Sequence, residues 1–177
     1  MDSQERTALV VLVPEAETLV QELRNRYDPS AAEGMPAHIT VLSPFKYAGA
    51  IGREVVDALQ TLFSQHSRFS FTLEEPRRFP SALYLAPRPD APFAELTQTV
   101  AERYPETPPY GGAFSTVVPH LTIAQVEDPQ QLEKIGDEFA CASRGNLPIH
   151  SRVEKVWLVQ KQRGWWQLRC SFALKAA

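Results

Sequence analysis

Pro36-Ala37-His38-Ile39-Thr40-Val41-Leu42-Ser43-Pro44-Phe45 decides the reading of this chain, because its core triplet returns in the second half as His120-Leu121-Thr122. In a β-strand alternate side chains leave the same face, roughly 6.5–7 Å apart, so His38 and Thr40 point together while Ile39 and Val41 point the other way. The same alternation sets His120 and Thr122 against Leu121 and Ile123. Each copy therefore offers an imidazole and a hydroxyl on one side and an aliphatic anchor on the other. With 4 His and 10 Thr in 177 residues, two His-x-Thr triplets arise by chance in about one sequence in fifty. Both triplets also sit on apolar runs with a proline just upstream, Pro36 and Pro119, which makes coincidence a poorer account.

Outward from these strands the pattern is a repeat. Leu9 to Val13 is apolar on both faces, as a central strand beside a His-x-Thr strand would be. Ala16, Leu19, Val20 and Leu23 predict a helix from about Glu15 to Arg26 with a charged outer face, and the Pro- and Gly-containing stretch 28–36 predicts a loop into the His38 strand. Ile51, Val55, Leu59 and Leu62 predict a second helix. Phe69, Phe71 and Leu73 predict a half-buried strand, with Leu83 and Leu85 in its neighbour after Pro80-Ser81. The pattern then starts over. A helix over Ala91 to Tyr104 leads through the loop Pro105 to Gly112 into the His120 strand, and Asp128-Pro129 opens a further helix. A hairpin closes the chain, with strands Val153 to Lys161 and Trp165 to Leu174 around Arg163-Gly164. The expectation is one domain over residues 1–177, with two similar lobes of about 1–80 and 81–177 that are free to exchange strands. In this reading each sheet is backed by its own helices, and the histidine faces meet across a cleft.

Composition narrows the function. A hydrophobic fraction of 44% and a charged fraction of 22% describe a globular chain that buries a core of its own. The formal net charge of −3 disfavours a duplex DNA binder, which needs a basic face, and leaves a small ligand or a single nucleic-acid end. The N-terminal residues show no basic start and the following apolar run is too short to span a bilayer, so neither export nor a membrane is expected. Cys141 and Cys170 have no metal or redox spacing and read as plain buried thiols, in keeping with a reducing cytoplasm. No cofactor is implied, no metal motif accompanies the histidines, and a monomer is expected.

An imidazole titrates near 6.5, so at neutral pH one histidine can hold a proton while its partner lacks one. Such a pair about a phosphodiester can take a proton from the attacking oxygen and give one to the departing oxygen, while Thr40 and Thr122 donate to the non-bridging oxygens. Metal is not needed in this scheme. From the residues alone, either histidine can take either role.

The pair Pro-Ala-His-Ile-Thr and Pro-His-Leu-Thr, with Ser43-Pro44-Phe45 after the first and Pro108-Pro109-Tyr110-Gly111-Gly112 before the second, resembles the two-histidine phosphoesterase superfamily. Within it, the layout is similar to the bacterial 2'-5' RNA ligase and cyclic phosphodiesterase group, over nearly the whole chain. The resemblance implies a bilobal α+β fold of two pseudo-symmetric β-α-β lobes whose mainly antiparallel sheets face a central cleft. It implies metal-independent hydrolysis of 2',3'-cyclic phosphates or related phosphodiesters at nucleotide or RNA ends, with 2'-5' ligation as the reverse direction. It also implies that His38 gives the proton to the leaving oxygen and that His120 takes one from water.

Six further residues are candidates for substrate binding: Phe45, Tyr84, Tyr110, Trp157, Trp165 and Arg169. The alternation of the closing hairpin puts Trp166, Leu168, Cys170, Phe172 and Leu174 on the core side. Trp165 and Arg169 then lie on the other, with Trp157 and Lys161 on the outer side of the partner strand. If that side is the cleft, a tryptophan can stack on a base and Arg169 can pair with a phosphate. His66 and His150 lack a threonine partner and read as capping or surface residues. Two other classes compete with the enzyme: a module that holds an RNA end or nucleotide phosphate with little or no turnover, and a metallohydrolase that uses the histidines as ligands.

Overall fold

The computed structural model describes residues 5–176. Fifteen elements follow one another, and two of them are single 3₁₀ turns. The strands are β1 Thr7–Leu12, β2 His38–Leu42, β3 Phe69–Phe79, β4 Ala82–Arg88, β5 Leu121–Gln125, β6 Ile149–Val153, β7 Lys155–Gln162 and β8 Trp165–Ala173. The helices are α1 Pro14–Tyr27, α2 Pro29–Ala32, α3 Arg53–Phe63, α4 Ala91–Arg103 and α5 Pro129–Ala142. The strands form two four-stranded sheets, β2-β1-β7-β8 and β5-β4-β3-β6, in which every neighbouring pair is antiparallel. The fold is α+β with two lobes, as the duplicated pattern implied.

Local chemistry accounts for the elements that flank the site. Pro14 opens α1 and costs no hydrogen bond there, Glu15 and Glu17 face its positive end, and Arg24 and Arg26 face its negative end. In α5 the Asp128 side chain accepts from the Gln130 N–H, which satisfies one of the open amides at the helix start. The hairpin β7–β8 turns through Arg163 and Gly164, both with positive φ, the pair of conformations that a two-residue turn between twisted strands requires.

The sheets do not divide the chain at residue 80. Strand β3 lies in the second sheet beside β4, while β7 and β8 return to the first sheet beside β1. The helices depart from expectation in part: α3 packs on β8 and α5 on β4 and β5, as the repeat implied, but the other two long helices cross over. Helix α1 follows β1 but packs on β5 and β6 of the other sheet, and α4 follows β4 but packs on β2. There Thr97 of α4 donates to the Val41 carbonyl of β2 at 2.7 Å. This crossing merges both lobes into one apolar core that runs from Leu9, Ile39 and Val41 to Leu85, Leu121 and Ile123 and takes in residues of α1, α3, α4 and α5. Ile39, Leu121 and Ile123 are fully buried, and burial of each such side chain contributes about 1.5–3 kcal/mol.

Four other details differ from the sequence reading. The stretch 28–36 holds the short helix α2, capped by Asp28. The strand expected over Val153 to Lys161 is β7, and it is preceded by a strand the sequence reading did not give, β6, which belongs to the other sheet. Cys141 is exposed on α5 and Cys170 is only partly covered. The fourth is a register shift between Leu158 and Val159: Leu158 pairs with Cys170 but Val159 pairs with Leu168, so Arg169 is the extra residue of a β-bulge. Cys170, Phe172 and Leu174 therefore keep the core side, whereas Trp166 and Leu168 turn to the other face. There Trp166 packs with Ala8, Val10, Met35 and Val159. Among the described residues no helix is long and apolar enough to cross a membrane.

Candidate active site

Strands β2 and β5 are the outer strands of their sheets, and they lie against each other at the seam between the lobes. Along β2, Ile39 and Val41 are buried while His38 and Thr40 stay partly accessible; along β5, Leu121 and Ile123 are buried while Thr122 stays partly accessible, with His120 just before the strand. Period-2 alternation thus puts both His-x-Thr pairs on the side away from the core. His120 lies close enough to His38 that a charge on one opposes a charge on the other.

The two rings are held by the same device. His38 Nδ1 is 2.8 Å from the Pro36 carbonyl oxygen, and His120 Nδ1 is 2.7 Å from the Val118 carbonyl oxygen. A carbonyl only accepts, so Nδ1 carries the hydrogen in both rings and Nε2 presents its lone pair. Protonation then adds a hydrogen at Nε2, so each ring can act as base or acid at a single defined atom. Burial pushes His38 down to about 4, against the bond to Pro36; Arg24 and His120 add to the depression and Asp28 opposes it. Burial likewise lowers His120, opposed by its bond to Val118. Burial therefore favours the neutral form of both rings. An anion between them raises both.

The surroundings of the two rings differ. His120 stands edge-on to Phe79 and Tyr84, with ring centroids at 5.2 and 5.5 Å, and those two rings stack on each other at 4.1 Å. With Thr122, Tyr110, Phe114 and Val118 it lines a hollow of about 480 Å³, large enough for a nucleoside. His38 sits across from Leu12 of β1, and Thr40 across from Val10, whose other neighbour is Trp157.

The six binding candidates separate accordingly. Tyr84 is 7% exposed and props the His120 ring; Tyr110 borders the 480 Å³ hollow, with its hydroxyl raised by burial and its backbone N–H bonded to the Ser43 carbonyl at 2.7 Å. Trp157 shares the histidine face, two strands from Thr40, with the Lys155 ammonium 4.9 Å from its ring centre. Phe45 is buried and packs edge-on to Tyr104 at 5.3 Å. Trp165 is 58% exposed beside the β7–β8 turn and lies over Gly34, away from the hollow at His120. Arg169, displaced by the bulge, donates to the carbonyls of Ala48 at 3.1 Å and Ile51 at 2.6 Å, which commits its guanidinium to backbone. His66 and His150 stand on other elements: His66 follows α3, and His150, on β6, is the register partner of Thr72 on β3.

Sequence reasoning missed Phe114, Val118 and Arg24. The first two lie in a loop with no periodic signal. Arg24 continues the stripe of Ala16, Val20 and Leu23, so its spacing marked it as buried although its charge did not. Among the described residues, no three His, Cys, Asp or Glu side chains gather as a metal site would require.

Known structures share the fold. Escherichia coli LigT complexed with 3'-AMP aligns over 96% of this chain and 98% of its own, with 17% identity and a TM-score of 0.60. The NADP+ complex of the same protein gives 18% identity, 97% and 98% coverage and a TM-score of 0.58. TT0787 of Thermus thermophilus gives 18%, 97%, 98% and 0.59. At such identity the likeness is one of fold. No curated protein sequence matches. The sequence model of the 2'-5' RNA ligase superfamily, however, matches residues 12–165, a span that holds both His-x-Thr motifs, and the chain belongs to that superfamily, within the two-histidine phosphoesterases.

Proposed function

We propose that the chain is a metal-independent phosphodiesterase that opens 2',3'-cyclic phosphates, or cleaves related diesters, at nucleotide and RNA ends. The observation that carries this is the matched pair of rings on adjoining strands, each locked as the Nδ1–H form with Nε2 left for chemistry and each followed by a threonine. His120 Nε2 takes a proton from water as the water oxygen bonds to phosphorus. The bond from phosphorus to one ribose oxygen breaks, and His38 Nε2–H gives that oxygen its proton. The hydroxyls of Thr40 and Thr122 donate to the non-bridging oxygens, where charge grows. The division of roles is the one that the family resemblance implies. The negative charge of the bound diester favours the protonated form of one ring, against the burial that disfavours it. With a 5'-hydroxyl in place of water, the same steps join a 2'-5' linkage: its oxygen bonds to the phosphorus of the cyclic phosphate, and the 3'-oxygen leaves with the proton from the acid. The hollow beside His120, bordered by Phe79, Tyr110 and Phe114, is sized for the nucleoside.

A panel of a 2',3'-cyclic nucleotide, a 2'-5' dinucleotide, a cyclic ADP-ribose phosphate and a 3'-5' dinucleotide, assayed with chelator present, tests the proposal. Turnover of at least one, lost in His38→Ala and in His120→Ala, is expected. Binding without turnover by the intact protein would instead establish a phosphate-end binding module, and turnover that chelator abolishes would establish a metallohydrolase.

A further inference from the structure

Behind His38 lies a charge cluster for which the chemistry above has no use. Arg24 is 1% exposed, and its Nε donates to Asp28 Oδ2 at 3.0 Å, itself buried. Its Nη2 donates to the Met35 carbonyl at 3.0 Å and reaches Ser30 Oγ at 3.3 Å, while Nη1 stands 4.0 Å from Glu17 Oε1. Glu17 in turn accepts the Ala37 N–H through Oε2 at 2.8 Å. A buried guanidinium is costly unless paired and hydrogen-bonded, and a hydrophobic contact would hold a loop at lower cost. What these charges grip is the backbone on either side of Pro36: the Met35 carbonyl before it and the Ala37 amide after it. The Pro36 carbonyl between them is the acceptor of His38 Nδ1. On the other side of the seam the acceptor is the carbonyl of Val118, a residue 41% exposed.

We propose that Arg24, acting with Asp28 and Glu17, is the positioning residue of His38: it fixes the backbone at 35–37 so that the ring is held in one tautomer with Nε2 aimed at the leaving oxygen. The inference rests on the proposed function for its catalytic consequence but not for its geometry. The charged groups that act on the ring are Arg24 and Asp28 from the end of α1 and His120 from the β5 side. Loss of the Arg24 charge leaves the Asp28 carboxylate uncompensated, so the ring should hold its proton more tightly.

The test follows the imidazole nitrogens of ¹⁵N-labelled protein through a pH titration, with turnover of the best panel substrate measured alongside. Wild type should show a single Nδ1–H form at His38. Arg24→Met should show a mixture of tautomers, a midpoint raised by about one pH unit or more, and kcat lowered about 10- to 100-fold with KM little changed. Arg24→Lys should return the midpoint toward wild type without restoring the single tautomer, because an ammonium restores the charge but not the planar fork. The His120 signals should stay in place throughout. Glu17→Met, at a partly exposed residue, frees the Ala37 amide and removes the 4.0 Å ion pair but leaves Arg24 bonded to Asp28 and Met35, and should mix the tautomers even if Arg24→Met does not fold. Variants that melt lower yet leave the His38 tautomer and midpoint unmoved would overturn the proposal and leave Arg24 a purely structural ion pair. A wild type that turns over no diester would sink the functional reading, and the nitrogen shifts would still decide this one.

Discussion

His38 and His120 carry the same motif and the same Nδ1 bond, yet they occupy unlike seats. The carbonyl that orients His38 belongs to a backbone segment clamped by buried charges. The one that orients His120 belongs to the exposed residue 118, and the ring itself is steadied by the edges of Phe79 and Tyr84. One ring is fixed by electrostatics through the main chain, the other by aromatic packing. Pseudo-symmetry of sequence therefore coexists with asymmetry of support, and asymmetry is what a reaction with one acid and one base requires.

The strongest way to break this comparison is to remove the rings. His38→Ala and His120→Ala should each lower kcat about 10²- to 10⁴-fold, and the double variant should be little worse than the poorer single one, because the two act as a unit. A single variant with near-normal turnover would end the idea of a pair. The pH dependence sharpens it next. Burial holds both rings below their usual range, so kcat/KM, which reports the free enzyme, should peak on the acid side of pH 6.5. The kcat profile should lie at higher pH, since the bound anion raises both rings; coincident profiles would show that the substrate charge does not act on them.

The same depression makes a stability prediction for the His38 seat. In the folded chain the ring resists protonation down to about pH 4, whereas in the unfolded chain it takes a proton near 6.5. The contribution is thus fully present above about 6.5 and is lost as pH falls toward 4, by about 3 kcal/mol at most. Urea unfolding of wild type minus His38→Asn should show that slope. Two parallel curves would place the ring in a solvent-like setting. For the His120 seat, Phe79→Ala removes one of its two aromatic props and should lower kcat about tenfold, with little change in Arg24-dependent signals at His38. Last, Arg169→Ala should cost about 1–2 kcal/mol of stability through its lost bonds to Ala48 and Ile51 and leave KM unchanged; a raised KM would return Arg169 to the substrate.

Both His-x-Thr strands were legible in the sequence because their alternation is local and each aliphatic face is buried. The central strand β1 between β2 and β7 was legible for the same reason, as a run apolar on both faces. The closing hairpin was not: a single extra residue at Arg169 reverses the parity of everything before it, so Trp166 and Leu168 left the side that strict alternation assigned them. The tautomer lock depends on where two carbonyls fall in space, which no spacing encodes. The crossing of α1 and α4 is a long-range packing choice, invisible to a reading that pairs each helix with the strand before it.

That crossing bears on any attempt to dissect the molecule. The sheet β2-β1-β7-β8 is covered in part by α4, which follows β4, and the sheet β5-β4-β3-β6 by α1, which follows β1. Strands and helices of both parts of the chain meet in one apolar interior, so a cut between the two His-x-Thr strands would bare hydrophobic surface on either fragment.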